Sequence, residues 1–275
     1  MYCDLHTHSC YSDGTDTPQQ LVELAMSRGL KAIALTDHNT VAGLPAFLEA
    51  ARGKDILAIP GAEFSVDLEG KELHLLGLFI PPSAFPVIEE KMSAIREKKE
   101  QSNRDLARRL TQGGYPVDYD QIRCNAKGYV SRAHIAQALT DSGYTPSVKD
   151  AFQTLLSPEK GFYIPPERVS LWEMLPFLRQ LGAVPALAHP FLDLTLQELE
   201  QLLPRAKEAG LIGMEVGYST FSPEQTNTAA QLCDRFGLLP SGGSDHHGAI
   251  KPHIQLGIGT GDLAVPFSWA QALIP

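Results

Sequence analysis

Histidines and acids recur in this chain at spacings that suit a shared ligand set. His6-Thr7-His8 follows an extended start, and side chains two apart on a strand point the same way, so the two imidazoles converge on one point. Asp4 has the same parity and is a candidate to hold a ligating imidazole in its tautomer from behind. Asp13 lies in the polar turn Tyr11-Ser12-Asp13-Gly14, His38 closes Thr36-Asp37-His38, and Glu63 closes Pro60-Gly61-Ala62-Glu63. His74 falls within an apolar run, His189 stands in Ala188-His189-Pro190, and Gly243-Ser244-Asp245-His246-His247 ends the series. One such histidine alone is more often structural than ligating. A non-ligating account of the whole set has to explain the same strand-end placement repeatedly.

Imidazole and carboxylate donors without suitably placed thiolates fit zinc, manganese or iron better than an all-oxygen magnesium cage. The donors outnumber the three or four that a single catalytic zinc takes, so two or three divalent ions are expected, with a bridging carboxylate. Such a cluster generates hydroxide by lowering the pKa of bound water to about 7, and it clamps the oxygens of an in-line displacement at phosphorus. Metal-bound hydroxide attack on a phosphate ester is the chemistry expected.

These residues need elements that bring them to one place. Leu30–Leu35, Ile56–Ile59, Leu73–Ile80, Ala183–Leu187, Leu211–Val216 and Leu238–Pro240 read as strands after the first one. Helices open between them at Thr17, Ser170, Thr195 and Ser222, each with capping-box spacing, and Gly29 closes the first. Alternation of this kind predicts an α/β fold with a parallel sheet, either a barrel or doubly wound. In a barrel the C-terminal strand ends share one face, and every strand but the sixth delivers a candidate ligand there.

From Pro81-Pro82 to about Glu167 the rhythm changes. A long charged helix is expected over Phe85–Thr111, followed by Gly113-Gly114 and by shorter helices opening near Ser131 and Ser147, before Pro165-Pro166. The division expected is therefore a metal-binding barrel from residues 1–80 and 168–275, with residues 81–167 inserted as a helical cap subdomain.

Composition narrows the class. The net charge of −9 argues against stable duplex DNA binding, which needs a basic surface, but not against a small phosphorylated substrate. No stretch approaches the apolar length of a membrane span. The motif begins at once after Met1, which predicts no signal peptide, and the four cysteines lack C-x-x-C spacing, which points to a reducing cytoplasm. No obligate protein partner is evident.

Taken together, Asp4-Leu5-His6-Thr7-His8-Ser9, Ser12-Asp13-Gly14, Thr36-Asp37-His38, Pro60-Gly61-Ala62-Glu63, His74, His189-Pro190 and Ser244-Asp245-His246-His247 resemble the signature of the PHP (polymerase and histidinol phosphatase) family in order and spacing. The resemblance implies a distorted (β/α)7 barrel and a trinuclear centre. By position, His6, His8, Glu63 and Asp245 hold one metal, Glu63 bridges to a second held by His74 and His189, and Asp13, His38 and His247 hold a third. Glu63, His189 and Asp245 are the implied catalytic group, and His246 occupies the variable position of the motif as a non-ligand. Asn103, Ser131-Arg132-Ala133-His134 and Ser147–Phe152 are similar to the cap of stand-alone members that remove the 3′-phosphate of 3′,5′-bisphosphonucleotides or trim short RNA from its 5′ end. That likeness implies substrate binding by Arg132, His134 and Asn103. The competing readings are a histidinol phosphate phosphatase, a C–N hydrolase and a non-catalytic metal-binding accessory module.

Overall fold

The computed structural model describes residues 1–125 and 130–275. Its strands are β1 (Tyr2–Asp4), β2 (Ala32–Leu35), β3 (Leu57–Pro60), β4 (Ala62–Leu68), β5 (Lys71–Leu78), β6 (Val169–Ser170), β7 (Val184–Leu187), β8 (Gly213–Tyr218), β9 (Leu239–Gly243) and β10 (Val265–Pro266). They form two sheets, ordered β10-β1-β2-β3 and β6-β4-β5-β7-β8-β9. Hydrogen bonds outside the ladders join these sheets at both edges. Leu5 N–H donates to Gly242 O at 3.0 Å and Asp245 N–H to His6 O at 2.8 Å, which ties β1 to β9. On the other side Asn39 N–H donates to Glu63 O at 2.8 Å and Ile80 N–H to Pro60 O at 2.9 Å. β3 and β4 therefore act as one strand interrupted at Gly61, where a Cβ would press on the carbonyl oxygen of Gly77. The closed ring runs β1, β2, β3 with β4, β5, β7, β8, β9: a distorted (β/α)7 barrel rather than a doubly wound sheet.

The distortion has a local cause. Between β4 and β5 the chain turns in two residues, Glu69 and Gly70, both with positive φ (53° and 90°). This is the geometry of a tight hairpin, so β5 returns antiparallel to β4 and also lies antiparallel to β7. The sequence reading treated Glu63 as a strand end and missed β4 as a strand of its own.

Alternate residues of the strands, among them Cys3, Leu5, Ala32, Ala34, Ile59, Leu76, Leu78, Val184 and Ala186, make one buried cluster with Ala270 and Leu273 near the C-terminus. Helices are started by the expected residues. Thr17, Thr195 and Ser222 each form a capping box, worth about 1 kcal/mol per cap. Ser170 caps through Trp172 N alone, because Glu173, the expected box partner, is drawn to Lys91.

The chain divides into two compact units, Met1–Lys91 with Arg168–Pro275, and Met92–Glu167. The first boundary falls inside the long helix Phe85–Gln112, later than the proline pair at Pro81-Pro82. The second unit contains the helices Tyr119–Asn125, Arg132–Asp141 and Val148–Gln153. It has its own core, in which Leu106 and Leu110, one helical turn apart, meet Ile135, Leu139, Ala151 and Tyr163. Among the described residues no helix is long and apolar enough to cross a membrane.

Candidate metal centre

The centre is built from loops that leave the barrel strands and from two strand residues, Glu63 in β4 and His74 in β5. His6 and His8, two residues apart beyond β1, point the same way, both fully buried, and their Nε2 atoms face each other at 3.1 Å. β9 approaches so closely here that a Cβ on Gly243 would run into the backbone nitrogen and Cβ of His6. Glycine at that position lets Asp245 and His247 arrive beside the H-x-H pair.

Glu63 lies at the middle, and its two oxygens face different partners. Oε1 is 2.9 Å from His74 Nδ1 and 3.0 Å from His189 Nε2. Oε2 is 3.3 Å from both His6 Nε2 and His8 Nε2 and 3.1 Å from His38 Nδ1. Asp245 Oδ1 is 3.1 Å from His8 Nε2, while Asp13 Oδ1 is 3.3 Å from His247 Nε2. His247 Nδ1 donates to the Asp245 carbonyl at 2.8 Å, which leaves Nε2 as its lone-pair nitrogen.

Charges interact strongly in so dry a cluster. Burial works against a charged His8, yet the adjacent carboxylates of Asp245 and Glu63 outweigh it and hold the pKa up at about 9. His38 is pushed down to about 3, first by burial and then by the neighbouring imidazoles of His8 and His74. Burial also opposes ionisation of Glu63 and Asp245, but the surrounding histidines dominate and place both carboxyls well below the usual carboxylate range.

The donor chemistry fits divalent ions. His8 Nδ1, Glu63 Oε2 and His189 Nδ1 are buried without a hydrogen-bond partner, an arrangement that is costly unless something else compensates. Two Nε2 atoms aimed at each other beside a carboxylate oxygen satisfy a cation and little else. Candidate ligand atoms fall within 4.8 Å of one another in four overlapping groups: His8, Asp13, His38 and His247; His6, Glu63 and His189; His6, His8 and Asp245; His38, Glu63 and His74. Together these groups contain all nine residues expected from the sequence. His6, His8, His38 and Glu63 each belong to two groups, more sharing than the expected division, in which Glu63 alone joined two sets.

Other expectations land differently. Asp4 does not touch an imidazole: it accepts from Ser244 N at 2.8 Å, Ser244 Oγ at 2.6 Å, Gly257 N at 2.7 Å and His6 N at 3.3 Å, so it pins the backbone of β1 to the loop after β9. The carboxylate on a ring nitrogen is Glu215 of β8, with Oε1 3.0 Å from His6 Nδ1. Sequence reasoning read the strand Leu211–Val216 but gave it no part in the site; an acid inside the otherwise apolar run Gly213–Val216 was the available signal. His246 lies outside the four groups, with Nδ1 3.0 Å from Ile254 O and Nε2 2.9 Å from Asp16 Oδ2.

Within the helical unit, Arg132 stacks over Tyr163 at 4.3 Å and lies 5.6 Å from the Phe152 ring. His134 Nδ1 accepts from Ser131 N–H at 3.0 Å. Asn103 is buried, and its amide donates to Val130 O at 2.7 Å, so it acts on the segment entering the Arg132 helix rather than on solvent.

Comparison with known proteins places this geometry in context. The model of the PHP domain matches residues 4–165. The chain is 32% identical over 258 residues to the 5′-3′ exoribonuclease Rnm of Salmonella typhimurium, covering 92% of this chain and 87% of that protein. It is 32% identical over 247 residues to the 3′,5′-nucleoside bisphosphate phosphatase of Chromobacterium violaceum, covering 89% and 86%. A solved structure from Bifidobacterium adolescentis, provisionally assigned as a metal-dependent phosphoesterase, superposes with a TM-score of 0.82 at 28% identity, over 98% of this chain and 94% of that one.

Proposed function

The chain belongs to the PHP domain family, and from that premise we propose that this metal-dependent phosphoesterase acts on a nucleotide, removing the 3′-phosphate of a 3′,5′-bisphosphonucleotide or 5′-end nucleotides of short RNA. The observation that carries the reading is the donor set: imidazoles and carboxylates converging from separate segments of the barrel unit, with His6, His8, Glu63, His189, Asp245 and His247 buried, Asp13, His38 and His74 partly buried, and no thiolate among them. His6, His8, Glu63 and Asp245 would hold one ion, Glu63, His74 and His189 a second, and Asp13, His38 and His247 a third, with manganese the favoured metal. Such ions supply Lewis acidity toward the phosphoryl oxygens and a bound-water pKa of about 7.

The chain's own residues do the rest. Glu63 presents one oxygen to each of two histidine sets, as a bridging carboxylate must. In hydrolysis a P–O bond forms to the water oxygen, the P–O bond to the leaving group breaks, and the leaving oxygen takes a proton. His189 or a water molecule held at the centre is the group proposed to supply that proton. Arg132 offers a planar donor fork for phosphate, and stacking on Tyr163 orients it before substrate arrives. His134, accepting on Nδ1, carries its own proton on Nε2 and would donate from there. Asn103 serves by fixing Val130 ahead of that helix. Free cysteines at positions 3, 10, 124 and 233 suit the cytoplasm in which we place the enzyme.

Phosphate release with manganese tests the proposal across adenosine 3′,5′-bisphosphate, short 5′-phosphorylated RNA, histidinol phosphate and sugar phosphates, with RNA products also followed by length. Nucleotide substrates should be turned over fastest. Equal or better turnover of histidinol phosphate, or uniformly poor rates on the nucleotides, would reject it.

A further inference from the structure

β8 crosses the centre without placing a donor in any of the four ligand groups, yet Glu215 within it is 0% exposed. A carboxylate so placed must be paired or hydrogen-bonded. Glu215 has two partners, on ligands that leave different strands. Oε1 lies 3.0 Å from His6 Nδ1, and Oε2 accepts the backbone N–H of His189 at 2.6 Å. Three residues further along β8, the Tyr218 hydroxyl donates to Asp245 Oδ2 at 2.9 Å, and Lys251 Nζ reaches the same oxygen at 2.8 Å.

Resting on the metal reading above, we infer that β8 is the positioning strand of the centre: Glu215 and Tyr218, helped by Lys251, fix how His6, His189 and Asp245 face the ions. With a carboxylate at Nδ1, His6 keeps its proton on that side and presents Nε2 to the cluster. His189 has φ of 25°, a left-handed conformation that a residue with a Cβ adopts at a cost, and its N–H bond to Glu215 holds it there. Asp245 is turned the same way. Because two donors occupy Oδ2, the oxygen directed at His8 Nε2 and His6 Nε2 is Oδ1, at 3.1 and 3.6 Å. One strand thus sets a tautomer, a backbone conformation and the denticity of a carboxylate.

Glu215→Gln keeps the shape but cannot accept on both sides, since one end of the amide is a donor. Calorimetric titration of the chelated protein with manganese chloride, alongside circular dichroism to verify folding, should show binding weakened about 10- to 100-fold in Glu215→Gln, the range for loss of such outer partners. Tyr218→Phe should weaken it less, and KM at saturating manganese should stay near the wild-type value in both. Wild-type manganese affinity in folded Glu215→Gln would overturn the inference. Should that variant not fold, unchanged affinity in Tyr218→Phe overturns it instead. Failure of the unsubstituted chain to bind manganese is a different result, and it would remove the metal reading together with this one.

Discussion

The two units use polar side chains in opposite ways. In the barrel unit, His6, His8, Glu63 and Asp245 are 0–5% exposed, face one another, and in part lack hydrogen bonds. In the helical unit, Asn103, Arg132 and His134 all have local partners: a carbonyl, two aromatic rings and a helix cap. Folding alone accounts for the second arrangement. It does not account for the first, because crowding imidazoles and carboxylates into a dry site is unfavourable until a ligand offsets it. The claim of metal catalysis therefore rests on the barrel, and the choice of substrate on the helices.

Substitutions can break this contrast. The largest effect is expected from His8→Ala, which removes a donor shared by two ligand groups. Its kcat should fall on the order of a thousandfold or more, as loss of transition-state charge stabilisation does, with metal lost in parallel. Full activity after chelation and refilling would show that the crowding is structural.

Arg132→Ala is expected to act differently. It should lower kcat/KM for the nucleotide about 10- to 100-fold, the worth of about 1.5–3 kcal/mol for hydrogen bonds to a charged group, and leave metal content unchanged. If thermal stability drops and KM does not move, the stack on Tyr163 is a folding device and the substrate reading of the helical unit fails.

The smallest effect concerns pH. In the chelated protein the carboxylates hold His8 at about 9, above its ordinary 6.5. The stabilisation from that charge is complete below about pH 6.5 and is lost as pH rises through about 9. Thermal melts of chelated protein should therefore shift downward between pH 7 and pH 9.5, while the manganese-loaded form, whose ligands have already given up their protons, should change less. Parallel curves for the two forms would show that His8 does not exchange a proton for metal.

The same contrast explains what was legible in the sequence. The cluster of candidate ligands could be read because most of its motifs lie near the ends of short strands, where the type of residue and its parity nearly determine direction; His74, inside β5, is the exception. Caps at Thr17, Thr195 and Ser222 were legible for a similar reason, as their partners lie three residues away. What escaped depended on distant chain. Glu215 is recognisable only once His6 and His189 are beside it. The reversal of β5 follows from two positive-φ residues at Glu69 and Gly70, which sequence spacing alone did not reveal. Asp4 has the right parity, but the Ser244 and Gly257 amides reach it first. The bond from the Asn103 amide to Val130 O likewise joins residues far apart in the chain, which spacing alone does not reveal.

The most direct test of the account is a count of manganese bound per chain after chelation and refilling, taken together with recovered phosphoesterase activity. Two or three ions per chain, with activity returning as they bind, is the result predicted. Full activity in protein that retains no more than trace metal would contradict it.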